Sequence, residues 1–306
     1  MRRSKLLHRI GTRRRPRNII NTNPGNSMNA ENQMTITIGL SGGIGNRLFQ
    51  IALLLTIVKK YPNIKCYYYY RLNQTHGVNM EWCDNILKKN NITHNKKYRV
   101  STQHKIINEA TPWTYNDNYL KIINDNQYNA INCTLTTYFQ SHKYFHTEDM
   151  YIKTYFNNFL FTSVKHDKFE KYDLDNSACI HIRGGDYAKI NRENSLNRYY
   201  SRCIDTLKKK CNVFLVLTND TRYAKSLLAN ISGDNFKYEI VDLDTWDSLY
   251  LMTICKLGII CANSTFSWWG SYLNTYNPEI YMPKIWFKPN VYYPDIYFSN
   301  VNIVDL

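Results

Sequence analysis

The chain has 306 residues, of which 43% are hydrophobic, 14% aromatic and 21% charged, so it can build a full core and is not a disordered polypeptide. Its 39 Lys and Arg against 24 Asp and Glu give a net charge of +15, which raises a nucleic-acid-binding reading. No apolar run approaches the roughly eighteen residues that cross a bilayer.

The charge is unevenly placed. Arg2, Arg3, Lys5, Arg9, Arg13, Arg14, Arg15 and Arg17 put eight positive charges and no acid in residues 1–17, leaving only +7 for the remainder. Residues 1–33 therefore read as a disordered basic arm with too little apolar surface to offset ordering entropy. An arm of this kind suits weak contact of residues 1–17 with an anionic surface, and it resembles an organelle transit peptide. Leu6, Leu7 and Ile10 are too short an apolar cluster for a secretory signal, so the expected location is cytoplasmic. Eight cysteines without metal-type C-x-x-C spacing fit reduced thiols, with Cys179, Cys255 and Cys261 in apolar runs.

The folded part opens with a β-branched alternating strand over Met34–Leu40, a glycine loop Ser41–Gly45, and a helix from Asn46 to Lys60 that ends at Tyr61-Pro62. A strand at Ile64–Tyr70 follows, then an Asn- and Lys-rich stretch to about Asn132 in which no element stands out. From Ser177 the alternation resumes: strand 177–182, helix 198–210, strand 213–217, helix 221–228, strand 238–241, helix 248–256 and strand 258–262. Alternating strands and helices imply parallel sheets covered on both faces, an α/β fold. The charged segment 165–175 marks a boundary between an N-terminal part, residues 34–170, and a C-terminal part, residues 171–306. The last segment is expected to pack back on the first part.

Three segments carry chemistry. In Gly39-Leu-Ser-Gly-Gly43-Ile-Gly45-Asn46-Arg47-Leu-Phe-Gln50, glycines between strand and helix bring backbone N–H groups to a positive helix start. Its spacing is neither that of a dinucleotide fingerprint nor of a phosphate P-loop. In Cys179-Ile-His181-Ile-Arg183-Gly184-Gly185-Asp186-Tyr187, an apolar strand delivers His181 and Arg183 to one side at its carboxyl end, where open α/β sheets bind ligands. Arg183 offers a planar fork to phosphate oxygens, and Asp186 is placed to orient it. In Asn263-Ser264-Thr265-Phe-Ser-Trp268-Trp269, Ser264 and Thr265 cap a helix whose tryptophans read as core.

Taken together, these segments resemble the GDP-fucose-dependent α-1,2-fucosyltransferases, glycosyltransferase family 11, whose pattern reads G-G-x-G-N-[QR]-x-F-Q, H-x-R-R-G-D-Y and N-S-[ST]-F-S-W-W. Tyr138-Phe-Gln140-Ser-His-Lys-Tyr144-Phe145 resembles a further aromatic element of that family. The resemblance implies two facing Rossmann-like domains, the GT-B arrangement. It implies an inverting, metal-independent enzyme without a cofactor that moves L-fucose from GDP-fucose to a glycan hydroxyl, O2 of a terminal galactose. His181, Arg183, Asp247, Ser264 and Thr265 would bind the donor, with Asp247 on the guanine. Arg183 and Asp186 are the catalytic candidates, and Gly43, Asn46, Arg47 and Gln50 would line the acceptor side. No residue stands out as general base. One departure is Gly184, where the family has a second Arg; Lys189, Arg192 or Arg198 would have to supply the missing charge. A second is Cys261, which lengthens the strand before Asn263.

Two other functions remain open on the sequence. A metal-dependent transferase of GT-A type would use Asp173-Leu-Asp175 or Asp242-Leu-Asp244. A nucleic-acid-binding protein would use the basic arm, although the 26 tyrosines are too dispersed for a basic–aromatic module, and no specific nucleic acid is expected.

Overall fold

Strand β1 (Thr35–Leu40) runs into helix α1 (Ile44–Lys60), two residues earlier than the sequence predicts, because the glycine loop passes directly into the first turn. In this computed structural model the described residues are 34–71, 79–96, 105–107, 113–124, 130–133, 138–189, 196–231, 236–288 and 291–305. The basic arm and Arg192 lie outside them. Helix α1 is buried almost all round, with Leu48, Phe49, Ile51, Ala52, Leu54 and Leu55 among its core positions. Lys59 and Lys60 in its last turn suit the negative end of the helix dipole.

β1 lies at the centre of a five-stranded parallel sheet ordered β3-β2-β1-β5-β4. The other strands are β2 (Lys65–Tyr70), β3 (Thr93–His94), β4 (Lys105–Ile107) and β5 (Ala130–Cys133). Helices α2 (Glu81–Lys89) and α3 (Asn118–Asn124) fall in the stretch where the sequence shows no clear element. They are short, nine and seven residues, although α2 buries Trp82, Cys83, Ile86 and Leu87 at helical spacing. Helix α4 (Asp149–Ser163) follows and buries Ile152, Phe156 and Leu160.

The second sheet comprises β6 (Ser177–Ile182), β7 (Val213–Thr218), β8 (Tyr238–Ile240), β9 (Gly258–Ile260), β10 (Glu279–Pro283) and β11 (Val301–Val304). Its order is β11-β10-β9-β6-β7-β8, and every pairing is parallel. From β6 the chain winds outward through β7 and β8, then returns to β9 on the other side of β6. That is the Rossmann winding, and its reversal point lies between β6 and β9. The crossovers hold α5 (Leu196–Leu207), α6 (Thr221–Ile231), α7 (Thr245–Ile254) and α8 (Thr265–Tyr272). All six residues of β6 are buried, as a strand covered on both faces requires. β9 ends at Ile260 by strand geometry, yet the Cys261 N–H still bonds to the Tyr281 carbonyl at 2.9 Å, which continues the ladder by one residue.

Residues from Gln33 onward form one compact unit, and one cluster of buried side chains runs from the first sheet to the second. At its centre Phe49 of α1 lies 4.4 Å from Trp268 and 5.0 Å from Trp269 of α8, ring centre to ring centre. Phe145 and Phe156 also pack on Trp269, and Phe145 lies 6.1 Å from Phe49. Both indoles are fully buried and bonded, Trp269 Nε1 to the Gly45 carbonyl and Trp268 Nε1 to the Ile296 carbonyl. The C-terminal segment reaches residues near α3: Asp295 accepts from the Tyr115 N–H at 2.9 Å, and Trp113 stacks on Phe287. Cys179, Cys255 and Cys261 are buried free thiols. Among the described residues no helix is long and apolar enough to cross a membrane.

Candidate active site

The carboxyl ends of β6 and β9 open into a cavity of about 480 Å³, at the reversal point of the second sheet. His181 and Arg183 reach it from β6, Thr218 and Asn219 from β7, Thr245 and Ser248 from α7, and Ser264, Thr265 and Phe266 from α8. Gly43, Ile44, Gly45 and Asn46 line it as well, so the start of α1 and the start of α8, in contact with each other, border one cavity. Two helix N-termini and a guanidinium at one space give it chemistry suited to an anion.

Arg183 is aimed by its neighbours. Its Nη2 donates to Asp186 Oδ1 at 3.0 Å, and its guanidinium lies 5.4 Å from the centre of the Tyr187 ring. The Gly184-Gly185 turn behind it is latched to the end of β7. The Gly184 N–H donates to Asn219 Oδ1 at 2.9 Å, and the Gly185 N–H to Asp220 Oδ2 at 3.2 Å. Asp220 Oδ1 accepts the Tyr223 N–H at 3.0 Å in the first turn of α6. These backbone N–H groups hold the Asp220 carboxyl below its ordinary pKa. A Cβ on Gly184 would lie 2.5 Å from Asp220 Cβ, so the latch closes the position at which the family carries its second arginine. Lys189 and Arg198 do not line the cavity.

His181 is 5% exposed, and its Nδ1 has no hydrogen-bond partner. Burial, reinforced by the nearby Arg183 charge, pushes its pKa down to about 3, so the ring is neutral at physiological pH. The imidazole therefore adds no positive charge to the cavity it lines.

Asn46 joins three segments. Its Oδ1 accepts from Thr265 Oγ1 at 2.9 Å and from Gln140 Nε2 at 2.8 Å. Ser264 caps α8 by accepting the Phe266 N–H at 3.3 Å. Because the Thr265 hydroxyl proton goes to Asn46, what Thr265 offers the cavity is its first-turn backbone N–H. Gly45 permits this approach, since a Cβ there would lie 2.5 Å from the Thr265 carbonyl carbon.

Seven of the ten sequence candidates, Gly43, Asn46, His181, Arg183, Asp186, Ser264 and Thr265, line this cavity. Three do not. Arg47 and Gln50 are fully buried on the inward face of α1. Gln50 there accepts the Ser41 N–H and donates to the Gly39 carbonyl, which fastens the glycine loop to β1. Burial lowers the Arg47 pKa. Asp247 is also buried; its carboxylate bonds to Lys168 and faces a separate shallow cavity. Of the acids of the metal-dependent alternative, Asp173 accepts from Asn176, Asp175 pairs with Lys256 and Asp244 caps α7, while Asp242 lines the shallow cavity beside Asp244.

The sequence profile of glycosyl transferase family 11 matches residues 97–287, more than half of the chain. The chain belongs to glycosyl transferase family 11. It is 31% identical over 126 residues to the O-antigen biosynthesis glycosyltransferase WbnK of Escherichia coli, a match covering 37% of this chain and 39% of that protein. To an α-1,2-colitosyltransferase of the same organism it is 34% identical over 122 residues, covering 37% and 42%. The matches thus span about two fifths of the length of these curated relatives. Among solved structures, an Arabidopsis thaliana FUT1 variant in complex with GDP aligns over 88% of this chain and 74% of that one, at 14% identity and a TM-score of 0.47.

In this family 11 chain, Tyr187, Thr218, Asn219, Thr245, Ser248 and Phe266 line the cavity without having been singled out from the sequence. A usable signal existed for Thr218-Asn219, because polar residues at the carboxyl end of a parallel strand next to the reversal point face the ligand crevice.

Proposed function

We propose that this glycosyltransferase moves L-fucose from GDP-fucose to a hydroxyl of a glycan acceptor, O2 of a terminal galactose, with inversion and without a metal. The observation that carries the reading is the convergence of Arg183, the start of α8 and neutral His181 at the reversal point of a Rossmann-wound sheet. That end of the cavity suits a nucleoside diphosphate. The name of one relative carries the same α-1,2 linkage.

The chemistry follows from charge. As the bond from sugar to phosphate loosens, the diphosphate gains negative charge and the sugar becomes cationic. Arg183 and the first-turn N–H groups of α8 are fixed donors where that negative charge develops, the largest electrostatic contribution this cavity offers. Asp186 keeps the guanidinium in place. The start of α1, with Gly43 and Asn46, forms the acceptor wall. The acceptor oxygen attacks the face of the anomeric carbon opposite the diphosphate, its bond to that carbon forms as the sugar–phosphate bond breaks, GDP leaves, and the acceptor proton passes to solvent water.

The test is incubation of the full chain with GDP-fucose and a panel of galactose-terminated acceptors, with linkage analysis of the product, in EDTA and in Mn²⁺. Transfer in EDTA with an α-1,2 linkage is the expected result. Transfer restored only by Mn²⁺ would replace this reading with the metal-dependent one.

A further inference from the structure

A second cavity, of about 280 Å³, lies at the other end of α8. Ser264 and Thr265 start that helix at the active-site cavity, whereas Ser271 and Tyr272, at its last turn, line the second one. Eight helical residues span about 12 Å. Pro278 and Ile280, at the amino end of β10, also line it, so it opens at the opposite edge of the second sheet from the active site. It belongs to neither wall of the first cavity.

Its polar groups are mixed, and the charged pair among them cancels. Asp149 and Lys153 pair with each other at 3.1 Å, and Asp149 also accepts from the Tyr272 hydroxyl, so the charged lining sums to zero. His142 is kept toward its neutral form by burial and by His146 and Lys143 nearby, and its buried Nδ1 has no partner. Asn277 and Asn300 hold left-handed backbone conformations, with φ of 54° and 68°, and both line the cavity from opposing loops. Phe298 packs against Tyr272 at 5.2 Å and adds an aromatic wall. Amides, imidazoles and a neutralised ion pair beside aromatic rings match a neutral polyhydroxyl ring. An anion would meet the Asp149 carboxylate, and an apolar ligand would find few apolar partners beyond the aromatic wall.

We propose that this cavity is a carbohydrate-binding site that holds a neutral sugar residue of a glycan, separate from the site of transfer. The choice of a sugar as occupant rests in part on the proposed function; binding itself can be measured without any transfer reaction. A glycan substrate held there would be retained near the enzyme between encounters, an effective-concentration gain that needs no contact with the active site.

The experiment is saturation-transfer NMR on the full chain with methyl β-D-glucoside as probe, a neutral sugar other than the galactose of the proposed acceptor, and GDP at saturation. Signal is expected for the unaltered chain and for Arg183→Ala. It should fall at least threefold in Asn277→Gly plus Asn300→Gly, where glycine keeps the left-handed backbone and removes both amides. Ser299→Trp, which blocks the cavity from an exposed position, should do the same by a different route. No signal from the unaltered chain, or undiminished signal in both variants, overturns the proposal. Displacement of the sugar by millimolar inorganic phosphate would identify an anion site and overturn it equally. Because GDP-fucose turnover is read separately, failure here leaves the transferase reading standing, and the reverse also holds.

Discussion

Thr265 Oγ1 donates to Asn46 Oδ1 at 2.9 Å, which joins the first turns of two helices 219 residues apart. The bond ties the two helix starts together at the edge of the cavity, one from the layer of the first sheet and the other from that of the second. Thr265→Val removes the hydroxyl and keeps the shape. Expected is a destabilisation of about 0.5–1.5 kcal/mol by chemical denaturation. Turnover should fall more than GDP affinity, since the backbone N–H groups remain. A fall in GDP affinity with unchanged turnover would contradict this.

Arg183→Ala should leave the fold intact, because the side chain is 35% exposed, and should lower turnover by about 10²–10³-fold. Arg183→Lys restores the charge but not the fork, so it should recover only part of the loss. Steady-state kinetics on both variants, with circular dichroism as the folding check, decides this.

Gly184→Arg, which restores the family's second arginine, should reduce activity. A Cβ at this position meets Asp220 Cβ at 2.5 Å, so the added side chain displaces the latch that aims Arg183. Tighter GDP binding in calorimetry would show that the turn accommodates the residue.

His181 gives a signed pH dependence. Its pKa is about 3 in the fold, against an ordinary value of 6.5 for the unfolded chain. Below pH 6.5 the unfolded state therefore takes up a proton that the folded state refuses. Stability is fully present above that value and falls with decreasing pH until about pH 3, by up to about 1.4 kcal/mol per pH unit. Denaturation midpoints between pH 7 and 4 should decline less steeply in His181→Asn than in the parent chain.

Asp247→Asn separates a structural from a nucleotide-binding role. The carboxylate is buried against Lys168 and faces away from the active-site cavity, so the substitution should cost about 1–3 kcal/mol of stability. The Kd for GDP should remain within about threefold. A tenfold loss of GDP affinity in a stably folded variant would return Asp247 to the guanine.

The sequence by itself determined the α/β class and most strands and helices from Ser177 onward. It also determined the three strand-to-helix junctions where ligand groups gather. Those follow from local chemistry: apolar β-branched runs, glycine at a loop, and a hydroxyl at a helix start act over a few residues. The stretch before Asn132 was opaque because its elements are short: α2 spans nine residues, α3 seven, and β3, β4 and β5 two to four. Which side of a helix faces the cavity was decided only by tertiary packing. Asn46 reaches the cavity, while Arg47, one residue and about 100° further round α1, turns inward. The pairing of Asp247 with Lys168, the closure of Gly184 by Asp220, and the bond between Asn46 and Thr265 likewise join residues far apart in the chain. No local pattern encodes them, because their geometry exists only once two sheets have packed around one core.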